Sequence, residues 1–319
     1  MGAFDTIVQV VGYSQSERDF SRMAEQLETR FTRLHRLFDR FEEYDGMANV
    51  CTINKMAGVA PVKVDKELID LLLFCQEWGQ KTDDAFNPVF GAVTTIWHNY
   101  LMLYGGDSQN AVLPPEDILR QAGTRVDPSG LIVDPGAGTV FLTQEGMSLD
   151  LGAVAKGYAT ELAGQELCAA GFDSFAISSG GNVRVFGAPK DPQKSSWNVG
   201  IQNPDKDPAD ASDSGLDIVR LSGGSVVTSG DYQRYYMVGE RRVHHLIDPQ
   251  TLMPAEYYRS VTVLTEDSGV ADLFSTVLFI LPYERSREMA ELYGINAYWV
   301  FVDGSVKYTE GMKAALVSA

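Results

Sequence analysis

The sequence predicts a protein of mixed helix and strand whose strands pair as hairpins. Three observations carry this. Apolar residues at helical spacing fill the N-terminal region, short β patterns divided by turn residues begin near Thr124, and a second apolar helical period returns at 268–281. No GxGxxG follows the first strand and no Walker A lysine loop is present, which removes the usual nucleotide-binding folds.

Taken in order, Thr6–Gly12 is rich in β-branched residues and reads as a strand, with Ser14 or Ser16 able to cap the helix after it. Phe20, Met23, Leu27, Phe31, Leu34, Phe38 and Phe41 give that helix one apolar face, and His35 within it reads as a satisfied boundary residue. The period is lost over 41–54, a predicted loop with its turn at Asp45-Gly46. Helices are expected at Lys66–Lys81, 89–103 and 114–121, with His98 packed among aromatic neighbours in the second. Leu131–Asp134 and 139–143 form a hairpin across Pro135-Gly136-Ala137-Gly138.

Residues 148–161, SLDLGAVAKGYATE, read as a short apolar strand, a glycine turn and the start of a helix that Gly171 ends. Exposed helix N–H groups beside a lysine suit an anion. Strands are expected at 174–177, Asn182–Phe186, 216–221, 225–228, 232–238, 241–247 and 260–264, with an acidic surface loop over 204–215. The helix at 268–281 places Asp272 in its first turn and Thr276 one turn later on the same face. A helix at Tyr283–Leu292 and a hairpin from 297–302 to Val306–Tyr308 complete the chain, which has no internal repeat.

The 319 residues, 45% hydrophobic, can bury a sizeable core. A net charge of -17, from 26 basic and 43 acidic residues, argues against a partner such as nucleic acid or an anionic membrane. Cys51, Cys75 and Cys168 are odd in number and widely spaced, so they read as buried free thiols. The N-terminus shows no basic region followed by a long apolar run, and no stretch reaches transmembrane length, so a soluble chain is expected.

Three polar groupings stand out: Asp150 with Lys156, Ser229 with Asp231, and Asp272 with Ser275 and Thr276. Each alone fits a structural role, since Asp150 can cap a turn and mid-helix Thr276 can bond back to a carbonyl. Together they offer hard oxygen ligands of the kind magnesium or calcium takes.

The motifs DLGAVAKGYA at 150–159, SSGGNVRVFG at 178–187, TSGDYQRYY at 228–236, HLIDPQT at 245–251 and ADLFST at 271–276 occur in one order along the chain. In these the sequence resembles the ApbE-type FAD-dependent protein FMN transferases, over nearly its whole length. Met1-Gly2-Ala3 is also similar to the family's Met-Gly-Thr start. The resemblance implies an α+β fold related to the T-fold, with mainly antiparallel sheets, in a single domain of two intimately packed subdomains with FAD between them. It implies a magnesium ion held by the Ala153 carbonyl, Asp272, Ser275 and Thr276, and flavin-nucleotide contacts at Met1, Ala85, Phe86, Asn87, Asp150, Lys156 and Leu246. It further implies that FMN passes from FAD to a serine or threonine of an acceptor, a subunit of a redox complex in the periplasm or cell envelope, with AMP released. His245 is the candidate acid or base because neutral imidazole accepts a proton near pH 7. Water in place of the hydroxyl would make the protein an FAD pyrophosphatase, and loss of chemistry would leave an FAD-binding protein. The chain departs from the family pattern at 48–54, where only Asn54 is kept clearly, at Asn87, where aspartate is usual, and at Leu252, where glycine is usual.

Overall fold

The structure is a computed structural model that describes residues 1–105, 110–206 and 215–318. Most of the predicted acidic loop at 204–215 lies outside the described residues. The chain forms two compact units, one from Met1–His35, Ala153–Gly230 and Tyr257–Ala319, the other from Arg36–Gly152 and Asp231–Glu256.

The first unit is built on an antiparallel sheet. Among the described residues its strands run Gly2–Ala3, Thr6–Gly12, Phe175–Ser179, Asn182–Phe186, Gly224–Gly230, Tyr258–Thr265, Asn296–Phe301 and Val306–Tyr308 in spatial order. The two-residue period of these strands sorts their side chains. Val226, Tyr298 and Val300 point to one face, where they pack with Val219 and Leu221 of the ribbon Trp197–Ile201/Asp217–Leu221 and with Met312 of the helix Glu310–Ala315. The alternate residues, including Val227, Val261 and Trp299, lie on the other face, which the helices Ala155–Ala169 and Ser268–Ile280 cover. Ser229 pairs with Val261 in this register, whereas its neighbour Thr228 pairs with Thr262, so successive hydroxyls in one strand point to opposite faces. The two helices cross closely at Gly157, where a Cβ would stand 2.1 Å from the Ser268 carbonyl oxygen.

The second unit holds the helices Val50–Lys55, Lys66–Lys81, Gly91–Tyr104 and Glu116–Gly123, a sheet in the order Val62–Lys63, Thr139–Leu142, Leu131–Asp134, and the ribbon Tyr235–Val238/Arg241–His244. Trp97, Leu119, Tyr236, Val243 and Ile247 share one core within it.

Several expectations need correction. Residues 41–54 are not all loop: Val50–Lys55 is a helix, started by Asn49 and Thr52 as a reciprocal capping box. The first helix ends at Phe38, so Phe41 leaves its apolar face, is exposed, and sets its ring against His98. Ser16, not Ser14, accepts a helix-start N–H, from Asp19 at 3.1 Å. Residues 148–150 form no strand, only a single bridge from Ser148 to Phe90. Cys51 and Cys75 are buried as expected, but Cys168 is exposed, and all three are free. The strands Gly2–Ala3, Val62–Lys63 and Trp197–Ile201 and the helix Glu310–Ala315 were unanticipated, since so few residues carry no readable period.

Candidate active site

In the first unit the helix Ala155–Ala169 starts without a side-chain cap of its own, its N-cap being Val154. A helix start leaves backbone N–H groups unpaired. Asp272 serves one of them, its Oδ2 accepting the Gly157 N–H at 2.8 Å. Its other oxygen, Oδ1, lies 3.5 Å from the Lys156 ammonium. The helix begins at Ser268, where the sequence places it, and is capped by Asp267, so Asp272 falls in the second turn rather than the expected first and is only 4% exposed. Burial pushes its carboxyl pKa up, and the Lys156 charge and Gly157 N–H offset only part of that rise.

One turn further on, the Ser275 hydroxyl donates to the Asp272 carbonyl at 2.8 Å and lies 2.8 Å from the Ser229 hydroxyl. Thr276 Oγ1 is 3.5 Å from Ser229 Oγ. The first unit thus gathers Lys156, Asp272, Ser275 and Thr276 with Ser229, a member of one of the three polar groupings that the sequence brings together. Asp231 belongs elsewhere, to an ion pair with Arg242 at 3.0 Å. The strand ends at Gly230, between Ser229 and Asp231. Ala153 sits in the turn just before the helix, and Met1 is held at the sheet edge, its ammonium donating to the Val8 carbonyl at 3.1 Å.

In the second unit the Asp150 carboxylate is fully engaged. Arg40 and Thr94 both donate to Oδ2, and the Gly152 N–H donates to Oδ1 at 2.9 Å. Burial alone would raise this carboxyl, but the Arg40 guanidinium, the Thr94 hydroxyl, the Gly152 N–H and the His98 charge outweigh it and hold the pKa below the ordinary value. The Asp150 N–H donates to the Pro88 carbonyl at 2.8 Å, which lays the 85–88 loop beside it. Asn54 holds the preceding residue as a strand partner would, accepting from the Leu149 N–H at 2.7 Å and donating to its carbonyl at 3.1 Å. Arg40 and Thr94 had no local sequence signal.

Asn87 spends its amide on the loop itself: Nδ2 donates to the Val126 carbonyl at 2.7 Å, and Oδ1 accepts from the Val89 N–H at 2.8 Å. Ala85 is half-buried, and Phe86 is buried at 4% exposure. At the start of the HLIDPQT segment, His245 and its neighbour His244 differ. His244 is buried, its Nδ1 accepting the Leu246 N–H at 3.2 Å, so Nε2 carries the proton and donates to the Ala255 carbonyl at 2.8 Å. His245 is exposed, with Nδ1 3.3 Å from the Arg234 carbonyl, and Leu246 is buried.

The donor chemistry of the first unit fits a hard divalent cation. It supplies one buried carboxylate and neighbouring hydroxyls, all oxygen. Among the described residues no cluster of three or more histidine, cysteine or carboxylate side chains is placed to hold a metal.

The ApbE family matches residues 4–299 of the chain. An FAD:protein FMN transferase of Treponema pallidum is 35% identical over 82% of this chain and 73% of its own length. One from Klebsiella pneumoniae is 34% identical over 80% of this chain and 76% of its own. Among solved structures, the ApbE protein of Thermotoga maritima superposes with a TM-score of 0.84 at 28% identity, covering 99% of this chain and 97% of that one.

Proposed function

The chain belongs to the ApbE family, and from that premise we propose that it transfers FMN from FAD to a serine or threonine hydroxyl of an acceptor protein, releasing AMP, with magnesium as its metal. One observation supports the site most: the buried Asp272 carboxylate set between Lys156 and Gly157, with the Ser275 hydroxyl one turn away and the Ser229 hydroxyl 2.8 Å from that of Ser275. Asp272, Ser275, Thr276 and the Ala153 carbonyl would hold the metal, which when bound offsets negative charge on phosphate oxygens. Lys156 contributes a fixed positive charge to the same end.

In the reaction the acceptor oxygen bonds to the phosphorus of the FMN half, the pyrophosphate P–O bond breaks, and AMP leaves with that oxygen. The acceptor proton must go to a base. His245 is the proposed acceptor, an exposed imidazole oriented by the Arg234 carbonyl. The chemistry is mainly positioning and charge compensation, so most of the side chains named here bind and orient.

The acceptor is proposed to be a subunit of a redox complex, and the working place the periplasm or cell envelope, which fractionation of source cells would check. The transfer itself is tested by incubating the protein with FAD, magnesium and an acceptor domain that presents a serine or threonine, and weighing the acceptor. A gain of one FMN unit is expected. Free FMN and AMP with an unmodified acceptor would make the protein a pyrophosphatase, and FAD bound without AMP release would make it a flavin carrier.

A further inference from the structure

The two helices that carry the metal half hold each other by their starts. Asp272, on Ser268–Ile280, accepts the Gly157 N–H in the first turn of Ala155–Ala169 at 2.8 Å. In return Glu161, on Ala155–Ala169, accepts the Ser268 N–H, the first of the other helix, at 2.9 Å. Both carboxylates are buried, Asp272 at 4% and Glu161 at 6% exposure.

Glu161 is itself set by the sheet. Arg184 meets it with two bonds, Nε to Oε2 at 2.7 Å and an Nη to Oε1 at 3.0 Å. That guanidinium lies 4.2 Å over the Phe186 ring and donates to the Val185 carbonyl at 2.7 Å, so it has little freedom. Asn182, on the same strand and two residues before Arg184, accepts the Ser268 hydroxyl at 2.8 Å. A chain of directed bonds therefore runs from the strand Asn182–Phe186 through Glu161 to the start of the second helix, and through Asp272 back to Gly157 and Lys156. Between the helices there is no slack, because Gly157 has no Cβ to hold them apart.

A buried carboxylate–guanidinium pair gains little stability over an apolar pair of similar size, which turns attention to its geometry. We propose that Glu161, oriented by Arg184, is a positioning residue for the metal half of the site: it sets Asp272 against Lys156 and Gly157 without touching metal or substrate. This rests on the reading of Asp272 as metal anchor.

The test uses the full chain with Glu161→Ala, Glu161→Gln and Arg184→Lys. Hydrogen–deuterium exchange is followed by mass spectrometry over peptides covering 153–160 and 268–276, without metal and without FAD. Alanine is the better helix former, so a purely local effect of Glu161→Ala would slow exchange at Gly157. The proposal requires faster exchange there and at Ser268, with Glu161→Gln, which keeps an acceptor oxygen, between it and the parent. In FAD turnover the magnesium concentration at half-maximal rate should rise about tenfold in Glu161→Ala while the rate at saturating magnesium changes little, as for other groups that orient metal ligands. Val219→Ala, in the core on the opposite face of the sheet, controls for lost stability and should move neither reading.

Unchanged exchange in Glu161→Ala, or equal shifts in Val219→Ala, would overturn the proposal. Should Glu161→Ala fail to fold, Glu161→Gln and Arg184→Lys carry the same test, and parent-like exchange and magnesium response in both would overturn it. A parent protein that does not turn over FAD refutes the proposed function, while the exchange pattern still decides the role of Glu161.

Discussion

Removing the carboxylate of Asp272 separates its two roles. In Asp272→Ala the Gly157 N–H, at a helix crossing too close to admit a Cβ, loses its acceptor, a loss of about 1–3 kcal/mol for a buried donor. Lys156 loses a partner at 3.5 Å, but its side chain is 25% exposed and water replaces most of that, leaving about 0–1 kcal/mol. Against these stands relief of the burial that raises the Asp272 pKa. The net expectation is a loss of about 1–2 kcal/mol and a fall in Tm of a few degrees. The assay is thermal unfolding with EDTA and with magnesium, alongside turnover of FAD. The parent should gain about 2.7 kcal/mol at a magnesium concentration one hundred times its Kd, and the variant nothing. Asp272→Asn keeps an acceptor for Gly157 but not the charge, so it should melt near the parent in EDTA and still lack the magnesium gain. A variant that keeps both the magnesium-dependent Tm gain and turnover would refute Asp272 as the metal anchor.

Other perturbations follow from the same geometry. Arg40→Ala should cost about 2–3 kcal/mol at pH 7 in urea unfolding, between the surface and buried limits for an ion pair. Because burial is outweighed and the folded pKa of Asp150 lies below the ordinary 3.8, the stability from its pairing is present above that value and is lost as pH falls through the folded pKa, so the gap between parent and variant should shrink as pH falls below the ordinary carboxylate range. His245→Ala should leave Tm within about a degree, as an exposed substitution does, while lowering the rate of FMN transfer to the acceptor. Asn87→Asp, which restores the usual family residue, should destabilise by about 1–2 kcal/mol in denaturant unfolding, because a carboxylate cannot donate to the Val126 carbonyl. Leu252 occupies left-handed backbone at φ 60, so Leu252→Gly relieves about 1 kcal/mol of strain and loses a similar amount of packing in the second unit's core, leaving Tm nearly unchanged.

Long periodic segments were legible in the sequence because each residue repeats the same instruction: Lys66–Lys81 and Tyr283–Leu292 keep the expected bounds. The helix Val50–Lys55 was missed for want of a period, although Asn49 and Thr52 at capping-box spacing were a usable sign. Motif residues on one element, Asp272 with Ser275 and Thr276, were legible as a group. Arg40 and Glu161 were not, since their partners Asp150 and Ser268 lie 110 and 107 residues away and nothing local marks the pairing. Nor could the sequence show that Asn87 ties its own loop down through Val126 and Val89, since Val126 lies 39 residues away.

The stretch from Ser148 to Gly157 gains its order from elsewhere in the chain. Ser148 accepts from the Gly91 N–H, Leu149 is bracketed by Asn54, Asp150 is held by Arg40, Thr94 and Pro88, and Gly157 is capped by Asp272. The groups named are contributed by residues remote in sequence, so residues 148–150 and Gly157 are each held by bonds made within their own unit. Preorganised dipoles and charges stabilise developing charge without a reorganisation cost at the moment of reaction. The motif positions kept in this chain, Asn54, Asp150, Lys156 and Asp272, all bind either the backbone of this segment or one another's charges. These positions therefore hold a backbone in place as well as offering groups that could touch a nucleotide. On that argument, loss of Asn54 should impair turnover although its side chain is engaged wholly with Leu149.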